Sequence, residues 1–212
     1  CFVINTVSYA AVIASLLAMR IGDCRASYSS RKIMTELREG MRYVRNFQPI
    51  RDLLITLFSV CMIGMSFPVL MPEFATEVLK GTSHTYGFLI SFSGIGAFIA
   101  TMFLAMRKSV VGLERIIQHN IFIFGIALTA LSVTINAFAA MVLLLIAGFG
   151  LIVTIASSNT ILQTIVDDDK RGRVMSFYVM AVTGSAPLGS LMAGAVSSAI
   201  GTQLTLMIGG AL

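Results

Sequence analysis

The sequence predicts an all-α membrane protein, a polytopic helical bundle, and three observations carry that reading. Apolar residues make up 57% of the 212-residue chain and charged residues 12%, with a mean hydropathy of +0.89. A water-facing domain carries about 45–50% apolar and about 25% charged residues, so lipid is the solvent this composition fits. Second, five stretches contain no Asp, Glu, Lys or Arg: 1–19, 53–72, 81–106, 116–166 and 174–212. A helix that crosses a bilayer needs about 20 such residues. Third, the basic residues avoid every second connection between the spans those stretches define.

Residues 1–20 form the first span. Residues 21–51 form a connection with its own helix at 30–47. At about 100° per residue, Arg31, Arg38, Arg42 and Arg45 fall within about 60° of one another. Ile33, Leu37 and Val44 lie opposite, with Met41 at the border. Such an amphipathic helix lies along the membrane surface or against the ends of the spans, its basic face drawn to phosphate headgroups. Spans at 52–72 and 84–106 follow. The stretch 116–166 would be about 75 Å long as one helix, against a hydrocarbon core of about 30 Å. It therefore folds back near Ser132–Asn136, giving spans at 115–135 and 138–165. The last stretch turns at Gly201-Thr202-Gln203, giving a span at 173–199 and the start of another from 203. Residues 52–212 thus read as one six-helix bundle whose last helix is incomplete. Barrel-type alternation is absent, and open sheet edges cannot face lipid.

The connections sort by charge. Arg20, Arg25, Arg31, Lys32, Arg38, Arg42, Arg45 and Arg51 follow the first span; Arg107, Lys108 and Arg115 follow the third; Lys170, Arg171 and Arg173 follow the fifth. Lys80 alone lies on the other set, so 14 of the 15 basic residues share one side. The excess of Lys and Arg on cytoplasmic loops places that side in the cytoplasm and the chain in the inner membrane. The net charge of +5 is thereby assigned to the membrane surface, and the hydropathy excludes nucleic acid as a partner. Cys1, Cys24 and Cys61 form no metal-ligand or disulfide pattern, and neither a metal nor a cofactor is implied.

No charged side chain lies deep in a span, which leaves this chain without an evident intramembrane protonation site. Polar chemistry concentrates at the end of the fifth span, in Thr154, Ser157, Ser158, Asn159, Thr160 and Gln163. Amides in hydrocarbon need partners, so these residues either bond to neighbouring helices or line a water-filled substrate pathway. Ser157, Ser158, Asn159 and Gln163 are the candidate pathway residues. In the sixth span Ser185, Gly189 and Ala193 repeat every four residues, as do Ser190, Gly194 and Ser198, a spacing that lets membrane helices approach closely. Pro187, between Gly184 and Gly189, and Pro68 in the second span are expected to bend their helices. In the connection 167–173, Asp168 or Asp169 is expected to cap the sixth span. Arg171 and Arg173 are then free either to grip the carboxylates of a neighbouring element as a cytoplasmic latch, with Gly172 admitting a neighbouring helix, or only to anchor the helix to lipid phosphates.

The run from Gln163 to Gly194, QTIVDDDKRGRVMSFYVMAVTGSAPLGSLMAG, resembles the major facilitator transporters that include the enterobactin-exporter and macrolide-efflux types. EGMRYVRNFQPIRDLL, PVLMPEFATEVLKG and TYGFLISFSGIGA agree in the same order. The resemblance covers nearly the whole chain. It implies a C-terminal half, helices six to twelve with the last incomplete, whose missing N-terminal half is a partner. It further implies proton-driven efflux of a small amphipathic molecule by alternating access. Gly184, Pro187 and Gly189 approximately match the glycine–proline spacing of exporters in that superfamily. The loop at 107–115 occupies the place of the superfamily's Gly–Asp–Arg loop but lacks the Asp. A non-transporting scaffold or sensor on the same bundle is the competing class. An intramembrane enzyme is disfavoured, since no Ser/His or paired-carboxylate arrangement lies within a span.

Overall fold

The structure is a computed structural model and describes residues 2–18, 30–107 and 109–212. Its elements are helices α1 (Phe2–Ala18), α2 (Ser30–Asn46), α3 (Gln48–Gly64), α4 (Phe67–Glu73), a π turn (Phe74–Val78), α5 (Ser83–Ala105), α6 (Leu113–Val133), α7 (Ala137–Ile165), α8 (Asp168–Ile200) and α9 (Thr202–Ala211). Among the described residues there is no strand. Residues 1–36 and Leu37–Leu212 form separate compact units. In the first, α1 is an apolar helix of 17 residues, within which Ser15 Oγ donates to Ala11 O at 2.8 Å. Arg20, Cys24, Arg25 and Lys108, and the side chains of Arg31, Lys32, Ile33 and Leu37, lie outside the described residues.

The second unit holds five helices long and apolar enough to cross a membrane: Gln48–Val78, Ser83–Ala105, Leu113–Val133, Ala137–Ile165 and Asp168–Ile200. Each matches a sequence-derived span, with two differences. The first, made up of α3, α4 and the π turn, starts at Gln48 rather than at 52 and runs on past Pro72 to Val78. The last starts at Asp168, five residues before the expected 173, because acidic residues in a first turn complement the helix dipole. The fold-back at 132–136 is realised as a three-residue connection. There Asn136 caps α7, its Oδ1 accepting from Phe138 N at 2.9 Å and Ala139 N at 3.2 Å. Connections this short make successive helices antiparallel neighbours.

Packing is backbone-close where glycine allows it. A Cβ on Gly96 of α5 would fall on Leu145 O of α7, and one on Gly148 of α7 would fall on Ser93 O of α5. A Cβ on Gly189 of α8 would fall on Met62 O of α3. Two apolar clusters fill the interior. One gathers Phe67, Leu70, Met71, Phe74, Leu89, Phe124, Leu128, Leu144 and Leu206. The other, nearer the basic connections, gathers Val44, Ile50, Leu54, Leu57, Leu162, Val174 and Tyr178. Val44 thus ties the amphipathic α2 into the bundle.

Candidate functional site

The polar stretch of α7 divides between two faces. Thr154, Ser157 and Ser158 point into the bundle and are almost fully buried. Thr154 Oγ1 donates back to Gly150 O at 2.8 Å, whereas the Ser157 and Ser158 hydroxyls have no partner among the described residues. Asn159 is half-buried and Gln163 exposed, and Gln163 Nε2 donates to Asn159 Oδ1 at 2.7 Å. Ser157 and Ser158 therefore do not share the open surface of Asn159 and Gln163, contrary to the expectation for all four. The reason is geometric. At about 100° per residue, positions 159 and 163 fall on the opposite side of the helix from 154.

The segment 167–173 is mostly helix. Asp167 holds the N-cap position of α8 without a side-chain cap bond, and Asp168 and Asp169 stand in the first turn. The expected side-chain cap by Asp168 or Asp169 is not formed. Two carboxylates go instead to cations three residues on: Asp167 Oδ2 to Lys170 Nζ at 3.2 Å, and Asp168 to Arg171. Arg171 is therefore engaged within its own turn, and Arg173 reaches a different helix. Its Nη1 donates to Glu39 Oε2 of α2 at 3.1 Å. Beside that pair, Lys170 Nζ lies 4.7 Å from the centroid of the Tyr43 ring, which stacks on Phe47 at 6.1 Å. Gly40 is the close-approach point. A Cβ there would stand 3.1 Å from Phe177 Cε2 and 3.4 Å from Arg173 Cβ, while Gly172 faces open space. The sequence held a signal for Gly40, because a glycine inside a helix costs about 1 kcal/mol relative to alanine and asks for a packing reason.

The two prolines act differently. Pro68 sits in the first turn of α4, where its missing N–H would have had no helical partner. The chain between α3 and α4 turns at Met65 and Ser66, two residues before Pro68. Pro187 lies exposed inside α8, which runs uninterrupted from Asp168 to Ile200. Of the two small-residue stripes, Ser185, Gly189, Ala193 and Ser197 are buried. Gly194 has open space where a Cβ would stand, and Gly184 meets Met180 Cγ of its own helix at 3.7 Å.

Glu73 lies one residue past the expected span at 52–72. In the structure it ends α4 just before the π turn, accepting from Ser197 Oγ at 3.1 Å. Ser197 and Thr202 hydroxyls lie 3.0 Å apart, so one polar chain links α4, α8 and α9. Glu73→Leu is expected to cost about 1 kcal/mol, a charged hydrogen bond discounted for exposure. Glu73→Gln, which keeps an acceptor, should cost less than half of that. Apparent melting temperatures of the two variants check this, and equal losses would show that the Ser197 bond contributes nothing.

A family model described as transmembrane secretion effector matches residues 1–212. Over 160 residues the chain is 28% identical to the staphyloferrin A transporter of Staphylococcus aureus (strain NCTC 8325 / PS 47), covering 76% of this chain and 40% of that protein. The chain thus spans less than half the length of this curated relative. No solved structure matches it significantly. With five helices of membrane-crossing length and a family match running from the first residue to the last, the chain belongs to the transmembrane secretion effector family of major facilitator superfamily transporters.

Proposed function

We propose that this chain is the C-terminal half of a secondary transporter that exports a small amphipathic molecule, such as a siderophore or a drug. Transport proceeds by alternating access and is driven by a proton gradient. The staphyloferrin A transporter among its relatives supports the siderophore class. The spans correspond to helices six to twelve, an N-terminal half completes the pathway, and the basic connections lie on the cytoplasmic side of the inner membrane.

The observation that carries this reading is the open amide pair on α7. Asn159 and Gln163 bond to each other and sit on an uncovered face of a helix that is otherwise strongly apolar. The bond leaves Asn159 Nδ2 and Gln163 Oε1 for water or a polar group of the substrate. Against lipid those groups would stay unsatisfied, at a cost of about 2–7 kcal/mol per amide in hydrocarbon. Beside a hydrated path between two halves they are solvated at no such cost.

In this proposal the start of α8 is an inner latch. Asp168 and Asp169 favour the helix N-terminus electrostatically, Arg171 is steadied by Asp168, and Arg173 holds Glu39 of α2. Movement of α8 during opening of the inner side strains the α2 contact. The test of the whole reading is efflux by the full-length protein with Asn159→Leu and Gln163→Leu. Each is expected to lower efflux about tenfold, the worth of roughly one net hydrogen bond, with expression unchanged. Wild-type rates in both variants would remove the pair from the pathway.

A further inference from the structure

We propose that the groove between α2, α3 and α8 at the basic end of the bundle binds one anionic phospholipid. Arg45 and Arg51 hold its phosphate, and an acyl chain lies along Leu54, Ile55 and Phe58. The inference rests on α3 and α8 spanning the bilayer, which their length and composition support.

The groove has a volume of about 460 Å³. Its walls are apolar except at one rim, where Arg45 of α2 and Arg51 of α3 both face it and no carboxylate lines it. Two guanidinium groups at one mouth repel each other unless an anion sits between them. Arg45 has no ion pair among the described residues. Arg51 meets Asp52, its exposed neighbour in sequence, at 2.9 Å. That contact uses Nη2 and Nε, and the remaining N–H donors of the five on Arg51 stay available for a phosphate oxygen.

The order of polarity along the groove favours a lipid. The cations stand where α3 begins, and the apolar wall continues from there into the membrane. From Arg51 to Phe58 the helix rises about 10 Å, the depth over which a phospholipid passes from headgroup to acyl carbons. Ile55, Phe58 and Met180 are left exposed along this wall, at 59%, 36% and 57%. Anionic headgroups are attracted to clustered Lys and Arg at a membrane surface, and a basic pocket between helices binds them. A phospholipid supplies, in one molecule, the anion and the apolar tail in this order.

The test uses the full-length protein in detergent, with native mass spectrometry of added phosphatidylglycerol or of phosphatidylcholine with the same acyl chains. The wild type should retain one phosphatidylglycerol about tenfold more strongly than phosphatidylcholine. Arg45→Gln/Arg51→Gln should lose that preference. Arg38→Gln/Arg42→Gln, the same charge change on α2 but outside the groove, should keep it. Ile55→Trp fills an exposed wall position while sparing both arginines, and it should weaken retention of either lipid. Equal losses from the two double variants would mean diffuse surface charge and overturn the site. So would equal retention of the two lipids by the wild type. Efficient cross-linking of Ile55→Cys to another part of the protein would show that protein covers the groove, and would also overturn it.

Discussion

Alanine at Gly96, Gly148 or Gly189 is expected to destabilise the bundle by about 3 kcal/mol, at the upper end of ordinary overpacking costs. The usual cost assumes that a neighbouring side chain can rotate away. Here the obstructing atoms are carbonyl oxygens, Leu145 O, Ser93 O and Met62 O, and relief requires a whole helix to shift. Membrane helices gain little from hydrophobic exclusion and associate through close backbone packing, so lost contact along one crossing is not recovered elsewhere. For a chain of this size the change corresponds to a fall of roughly 6–12 °C in apparent melting temperature. Gly94→Ala on the same helix as Gly96 is the control. Nothing stands within 4 Å of a Cβ there, and alanine's better helix propensity should leave stability unchanged or slightly raised. If Gly96→Ala and Gly94→Ala melt together, the α5–α7 crossing does not hold the bundle.

The fold was legible because membrane folding writes itself in coarse variables. Charge-free length located the five long helices to within about five residues, and the polar Ser132–Asn136 stretch located the fold-back. Finer placement required azimuth and contact. The run Ser157-Ser158-Asn159 is uniformly polar in sequence, yet the helical turn sends two hydroxyls inward and the amide outward. The stripes containing Gly189 and Gly194 have the same period, and sequence alone could not say which one meets a neighbour. Only Gly189 does. Glu73 was passed over because its partner, Ser197, lies 124 positions away. The acidic run 167–169 looked like a cap because carboxylates suit helix starts. The cations three residues on proved the stronger competitors for Asp167 and Asp168.

Gly40→Val is expected to release α2 from the start of α8 and to disturb the inner end far more than the loss of either charged contact. The Arg173–Glu39 pair is substantially exposed, with side chains at 37% and 55%, and such pairs contribute about 0–1 kcal/mol. Lys170 over Tyr43 adds about 0.5–1 kcal/mol at a site this open. Both depend on the distance that Gly40 sets. A valine there must displace Phe177 and the stem of Arg173, which lifts α2 and lengthens both charged contacts at once. A helix of 17 residues that loses its tertiary contact is marginal by itself, so the change reads out as mobility of α2. Cysteines at Tyr43 and Lys170, in a background without other cysteines, report it through a short bifunctional thiol cross-linker that spans the removed side chains, and they leave Gly40 and the Arg173–Glu39 pair in place. Cross-linking should be near complete with glycine at 40 and fall at least tenfold with valine. Arg173→Lys, which keeps the charge and loses the planar guanidinium, should reduce it less than threefold. If the clasp is also the transport latch, Gly40→Val lowers efflux by the full-length protein while Arg173→Lys lowers it little. Undiminished cross-linking in Gly40→Val would mean that α2 is held at Val44 alone, and that the glycine contact follows from docking without causing it.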